Sequence, residues 1–128
     1  MIYGYIRVST NKQTTENQKW EIQQYCAKNN LIIDKWIEET ISATKDLKAR
    51  KLGKLIKKLH TGDIVIASEL SRLGRKLLEV MAILHHCMNT EATVITIKDN
   101  FRLDAGIQSK VLAFAFGLAA EIERNLIS

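Results

Sequence analysis

The sequence contains no proline and only six glycines among its 128 residues. Segments rich in proline or glycine are typical of linkers, and no such segment, low-complexity run or internal repeat is present. With 46% hydrophobic residues, the chain is long enough to build one core of ordinary size. The composition therefore predicts a single domain over residues 1–128.

Cysteine is also scarce, since only Cys26 and Cys87 are present. They lie far apart in helix-like segments, which argues against a Cys-x-x-Cys site and predicts two buried, reduced thiols. The three histidines, His60, His85 and His86, lack the spacing of zinc ligands. The sequence therefore predicts no metal site.

Long hydrophobic runs are absent as well. The apolar stretch 111–120 is too short to span a bilayer. The N-terminus lacks the charged region that precedes the apolar core of a signal peptide. These two absences predict a cytoplasmic protein without a membrane partner.

Acidic residues are outnumbered, because 14 aspartates and glutamates face 19 lysines and arginines. The resulting net charge of +5 favours a polyanionic partner such as nucleic acid. Many basic domains carry such a charge only for solubility, so charge alone leaves both interpretations open.

Apolar strands alternate with helical patterns along the chain. Strands are predicted at residues 2–8, 31–37, 64–67 and 92–97, and helices at residues 15–28, 48–60 and 75–89. Residues 38–48 form a polar loop, and the charged loop 98–104 has room for a short edge strand. This order predicts an α/β fold, with a mostly parallel sheet of four or five strands flanked by helices. The first and third strands would then be neighbours.

A last helix is predicted from about residue 107 to the end of the chain. Its apolar residues cover more than one side, with Phe114, Leu118 and Ile122 on one stripe and Phe116 and Leu126 on another. A central core helix would show the same pattern. We favour a long C-terminal oligomerisation helix, because the segment is terminal and ends in charged residues.

The first strand leads directly into a polar turn. Arg7 and Ser9 stand where the strand ends, and open α/β sheets bind ligands at this kind of point. Residues two apart on a strand point the same way, so a guanidinium and a hydroxyl can face one anion. The alternative is that Ser9 only starts a turn and Arg7 only reaches solvent from the end of the strand.

The third strand is followed closely by Arg72 and Arg75. If the first and third strands are neighbours, these arginines gather with Arg7 and Ser9 at one edge of the sheet. If Arg72 and Arg75 open the third helix, they lie on one of its faces, three residues apart. Arginine makes paired hydrogen bonds with phosphate, so the pattern predicts a phosphate site with Ser9 as candidate nucleophile.

Three short motifs stand in order along the chain. Tyr-Ile-Arg-Val-Ser-Thr at residues 5–10 is followed by Gln13 and Gln18, Ser-Arg-Leu-Gly-Arg occupies residues 71–75, and Glu-Ile-Glu-Arg occupies residues 121–124. Together they resemble the serine recombinases of the resolvase/invertase family, in which the second motif usually begins with aspartate. The resemblance covers the whole chain.

The resemblance implies a resolvase-like catalytic domain that cuts and rejoins double-stranded DNA through a 5′-phosphoserine intermediate, without a cofactor. It also implies a homodimer that forms a synaptic homotetramer in the active complex. Family members continue into a helix-turn-helix DNA-binding domain, which this chain does not resemble anywhere, so we expect the terminal helix to be truncated. The rival interpretation is a non-enzymatic phosphate-binding or protein-interaction domain on the same fold.

The resemblance also assigns individual residues. The implied catalytic residues are Ser9, Arg7, Arg72, Arg75, Gln13 and Gln18. The implied DNA or phosphate contacts are Lys58, Arg50, Ser71, Glu123 and Arg124. Two of these depart from the family pattern: Ser71 stands in the place of the aspartate, with Glu69 as a candidate substitute, and the family's arginine aligns on Ala49, one residue before Arg50.

Overall fold

The computed structural model of the protein describes residues 1–8, 12–40, 50–74, 77–104, 106, 115 and 118. Each strand or helix receives a label in chain order. The elements are β1 (Ile2–Val8), α1 (Lys12–Lys28), β2 (Lys35–Thr40), α2 (Lys51–Lys58), β3 (Ile64–Ala67), a 3₁₀ turn (Leu70–Arg72), α3 (Leu77–Asn89), β4 (Thr93–Thr96) and β5 (Phe101–Leu103).

The five strands form one sheet in the order β2-β1-β3-β4-β5. Strand β1 pairs in parallel with both β2 and β3, β3 pairs in parallel with β4, and β5 is an antiparallel edge strand. The predicted α/β fold is therefore confirmed, and so is the prediction that the first and third strands are neighbours. In this strand order the chain runs to one side of β1 and then to the other, so the topological switch point lies between β1 and β3.

The seam between β1 and β3 is short. Strand β1 pairs with β3 only from Ile2 to Gly4, whereas its pairing with β2 continues as far as Val8. Beyond Gly4, the side of β1 that faces β3 is open to side chains from other elements. This open seam is where Arg7 and Arg72 meet.

Two apolar clusters cover the two faces of the sheet, because successive residues of a strand point to opposite faces. The cluster under α2 and α3 includes Tyr5, Leu52, Leu55, Ile83 and Val94. The cluster under α1 is formed by Ile6, Ile22, Cys26, Ile66 and Ile95. Cys26 and Cys87 are buried free thiols in different clusters, as predicted, and burial raises the pKa of Cys87 to about 12.

Strand β3 has the predicted bounds, but β2 was predicted about four residues too early. Residues 31–34 serve the connection instead, because the Leu31 amide donates to Cys26 at the end of α1 and Asp34 exchanges two hydrogen bonds with Ile2. Glu38 and Glu39 consequently belong to β2 rather than to a loop. Helix α1 begins at Lys12, earlier than predicted, and α2 is shorter than predicted.

The predicted terminal helix lies outside the described residues, except for Ala115 and Leu118. Both of these are helical and exposed. Its role in oligomerisation therefore stays a prediction. Among the residues that the structure describes, no helix is long and apolar enough to cross a membrane.

Candidate active site

Arg7 and Arg72 hold each other across the open seam. The Arg7 guanidinium donates from Nε to the backbone carbonyl of Arg72 at 2.9 Å and from Nη2 to the carbonyl of Ser71. In return, Arg72 Nη1 donates to the backbone carbonyl of Arg7 at 3.4 Å. These contacts join residues 65 positions apart in sequence. The structure thus brings two of the predicted site residues together, each held by the backbone of the other.

Gln18 fixes the backbone of Arg7 from α1. Its Nε2 donates to the Arg7 carbonyl at 3.1 Å, and its Oε1 accepts from the Arg7 amide at 3.4 Å. The Gln18 residue is only 3% exposed, and it gives the Arg7 backbone a donor and an acceptor beyond the point where β1 pairs with β3. Gln18 therefore sets the position of Arg7.

The 3₁₀ turn that carries Arg72 is held by Asp99, which lies just after β4. The Leu70 amide donates to Asp99 Oδ2 at 2.6 Å, so the turn begins at a fixed point. Glu69, just before the turn, places Oε1 at 3.2 Å from Arg72 Nε, an ion contact without good hydrogen-bond geometry. The condition under which Arg72 and Arg75 would share one helical face is not met at Arg72, which belongs to a separate 3₁₀ turn before α3.

Arg50 lies in a buried ionic network. Its guanidinium contacts the Glu79 carboxylate, and its Nη2 donates to the Tyr5 hydroxyl at 2.9 Å and to the Leu73 carbonyl at 3.1 Å. Its Nε lies 3.5 Å from Glu39 Oε1. These contacts connect Arg50 to β1, β2 and α3. Because Arg50 is fully buried, its charge is not available at the surface.

Glu39 is the acidic centre of this network and also binds the start of α2. The Tyr5 hydroxyl donates to Glu39 Oε1 at 2.7 Å, and the amides of Lys51 and Leu52 donate to its carboxylate at 2.6 and 3.4 Å. Burial alone would raise the pKa of Glu39, but these hydrogen bonds and the charge of Arg50 lower it below the usual range. The carboxylate is therefore ionised at neutral pH.

Sequence reasoning missed the network of Tyr5, Glu39, Arg50 and Glu79. Its members are distant in the sequence, and Tyr5 and Glu39 looked like an ordinary strand residue and an ordinary loop residue. One signal was available in the sequence. An acidic residue, Glu39, lies near the end of a strand, and an arginine, Arg50, lies directly before the helix that follows it.

The electrostatic setting of Arg7 favours an anion. Burial lowers the pKa of Arg7, and the charges of Arg50 and Arg72 act in the same direction. Glu79 and Tyr5 act in the opposite direction, but the net shift is downward. A phosphate bound beside Arg7 and Arg72 would relieve their mutual repulsion, and both guanidinium groups suit such a ligand.

A shallow cleft opens beside Arg72, between α1 and the end of β4. Its lining residues are Thr14, Asn17, Gln18, Trp20, Glu21, Arg72 and Lys98. Trp20 is largely exposed. Lys98 and Glu21 form an ion pair of 3.4 Å across the cleft. The cleft gives a polar ligand a path to Arg72.

The remaining predicted site residues are not brought to this point by the described part of the chain. Ser9, Arg75, Glu123 and Arg124 lie outside the described residues, and only the backbone of Gln13 is described. Ser71 is exposed, and its backbone carbonyl, rather than its hydroxyl, contacts Arg7. Lys58 lines a second cleft with Lys35, Lys51 and Lys54. Within the described residues, no group of three side chains suited to a metal ion is found.

A family model described as "Resolvase, N terminal domain" matches residues 2–128. A resolvase from Clostridium perfringens is 33% identical over the whole chain and 66% of its own length. The transposon Tn552 DNA-invertase BinR from Staphylococcus aureus is 30% identical over 99% of this chain and 63% of its own length. The chain thus spans just under two thirds of the length of these relatives.

Solved structures share the fold. The N-terminal catalytic domain of TP901-1 integrase superimposes with a TM-score of 0.73 at 15% identity, covering 98% of this chain and 97% of that one. A resolvase family site-specific recombinase from Streptococcus pneumoniae gives 0.72 at 21% identity, covering 98% and 89%. Because the family model spans nearly every residue and the fold agrees, the chain belongs to the resolvase family, of which it represents the N-terminal domain.

Proposed function

We propose that this chain is the catalytic domain of a site-specific DNA recombinase of the resolvase/invertase type. The observation that carries the proposal is the reciprocal contact of Arg7 and Arg72 at the switch point of the sheet. Two cations at this point suit a phosphate, and Ser9 follows Arg7 by two residues in the sequence. Membership of the resolvase family supports the same activity.

The reaction is a transesterification in two matching steps. The Ser9 hydroxyl attacks the scissile phosphorus and loses its proton, while the bond from phosphorus to the 3′ oxygen of the DNA strand breaks. The leaving 3′ oxygen takes up a proton, and the 5′ end remains attached to Ser9 as a phosphoserine. After strand exchange, a 3′ hydroxyl attacks the phosphoserine and releases Ser9, so the number of phosphodiester bonds is conserved.

Arg7 and Arg72 supply positive charge where the transition state develops negative charge, on the non-bridging oxygens of the phosphate. Gln18 and the 3₁₀ turn hold both arginines in place before DNA binds, so little reorganisation is needed. Removal of one such preorganised donor costs roughly 10²–10³-fold in rate in comparable sites. Arg75 and Gln13, implied by the family resemblance, would complete the set.

The proposed partners are double-stranded DNA and further copies of the same chain. We propose a homodimer that becomes a synaptic homotetramer in the active complex, with the helix from about residue 107 as the interface. The proposed location is the cytoplasm.

The covalent intermediate tests the function. Full-length protein is incubated with DNA that carries its recombination site, quenched with detergent and separated on a denaturing gel. We expect a protein–DNA species that protease removes and that the Ser9→Ala variant does not form. If wild-type protein binds the site but forms no such species, the domain is instead a non-enzymatic phosphate-binding or interaction module.

A further inference from the structure

We propose that Glu69 is the positioning residue that aims the Arg72 guanidinium at the scissile phosphate. The inference rests on the proposed recombinase function and adds a residue to it. The residue next to Arg72 is Ser71, which cannot provide a carboxylate, and among the described contacts Glu69 is the acidic partner of Arg72. The carboxylate that orients Arg72 therefore comes from the start of the 3₁₀ turn.

The geometry of the turn brings Glu69 and Arg72 together. In a 3₁₀ turn, side chains three residues apart lie on the same side. The Arg72 amide donates to the Glu69 carbonyl at 3.1 Å, and the side chains meet with Nε 3.2 Å from Oε1. Backbone and side chain thus connect the same two residues, which limits the directions that the guanidinium can take.

The turn is also fixed to the sheet on both sides of Glu69. The Lys98 amide donates to the Ser68 carbonyl at 2.8 Å, just before Glu69, and the Leu70 amide donates to Asp99 at 2.6 Å, just after it. These bonds extend the pairing of β3 with β4 into the loop. Glu69 therefore acts from a rigid support, which a positioning residue requires.

The contact with Arg7 depends on the backbone of the turn. Arg7 binds the carbonyls of Ser71 and Arg72, whereas Glu69 binds the side chain of Arg72. Removing the Glu69 carboxylate should change the direction of the Arg72 guanidinium and leave the Arg7 guanidinium in place. Both members of the ion pair are partly exposed, at 28% and 26%, and such pairs add little to folding stability.

Single-turnover cleavage by the full-length protein, with protein in excess over site DNA, tests the proposal. We expect Glu69→Ala to lower the cleavage rate by at least about tenfold, because small misplacements of a catalytic group are costly. Glu69→Gln keeps an acceptor oxygen without the charge, so its rate should lie between those of Glu69→Ala and wild type. DNA affinity and melting temperature should stay close to wild type for both variants. Asp104→Ala, which removes an exposed ion pair with Arg102, is the matched control and should cleave normally.

A double-mutant cycle separates positioning from a general structural effect. If Glu69 acts through Arg72, adding Glu69→Ala to Arg72→Ala should slow cleavage no further. Wild-type cleavage rates for both Glu69 variants, or a double variant clearly slower than Arg72→Ala, would overturn the proposal. If Glu69→Ala does not fold, Glu69→Gln replaces it, both as the single variant and in combination with Arg72→Ala. The same two outcomes then overturn the proposal. Ser9-dependent cleavage by the wild-type protein in this assay upholds the proposed function whichever result Glu69 gives.

Discussion

Gln18 shows how much a single side chain contributes to the position of Arg7. Its side-chain amide accepts a hydrogen bond from the Arg7 amide and donates one to the Arg7 carbonyl. The Gln18 residue is almost fully buried. We expect Gln18→Leu to lower the unfolding free energy by roughly 1–3 kcal/mol, because the partly buried Arg7 amide loses its Gln18 partner. Cleavage by the full-length protein should fall as well. Urea denaturation of Gln18→Leu beside the exposed variant Glu16→Leu measures the first effect, and equal stabilities would contradict it.

Glu39 gives a prediction for acid stability. Its pKa is lowered in the folded protein, so its carboxylate adds stability at pH values above its ordinary pKa, and this contribution is lost as the pH falls through the lowered value. Glu39→Gln carries no such charge at any pH. The variant should be less stable than wild type at neutral pH, and the difference should shrink towards about pH 3, below the ordinary pKa of glutamate. Urea midpoints across this range provide the measurement, and a constant difference would argue against the assignment.

At the scale of elements, Arg50 connects three segments from the interior. It contacts Tyr5 of β1, Glu39 of β2 and Glu79 of α3, and leaves no charged group at the surface. Replacing it would leave two carboxylates without their cation. Breaking a buried ion pair in this way typically costs about 3–5 kcal/mol.

The variant Arg50→Met therefore distinguishes a structural role from the DNA contact that the family resemblance implies. We expect a large fall in melting temperature. The exposed Lys58→Met variant should melt like wild type and serves as the control. If Arg50→Met keeps normal stability and loses only DNA affinity, the buried network does not support the fold as described.

The elements themselves could be predicted well where hydrophobic patterning decides them. The buried strand β3 has the predicted bounds, and β1 and α2 appear close to their predicted places because apolar residues recur at the expected intervals. The start of β2 could not be predicted, since it depends on the long-range pairing of Asp34 with Ile2. The separate turn of Arg72 also depends on a distant residue, Asp99.

The same distinction holds for the site. Strand alternation and the strand order predicted that Arg7 and Arg72 would lie near each other. Their mutual hydrogen bonds to backbone carbonyls could not be predicted, because each needs the exact course of the other chain segment. The burial of Arg50 was missed for the same reason.

At the scale of the whole molecule, the helix from about residue 107 is expected to join subunits. Leu118, one of the two described residues of this segment, is 48% exposed. We expect self-association at high protein concentration, and Leu118→Glu should weaken it because a charge in an apolar interface is costly. Sedimentation at several concentrations measures this effect. A strict monomer that the substitution leaves unchanged would show that the stripe serves the domain's own core.

The reciprocal contact of Arg7 and Arg72 also sets an order of assembly during protein synthesis. A growing polypeptide has made Arg7 and Ser9 long before the carbonyl groups of residues 71 and 72 exist to receive the Arg7 guanidinium. The contact of Arg7 with Arg72 can therefore form only after β3 has joined the sheet beside β1. A nascent chain that ends before residue 71 therefore contains Arg7 but lacks the carbonyl groups that fix its guanidinium.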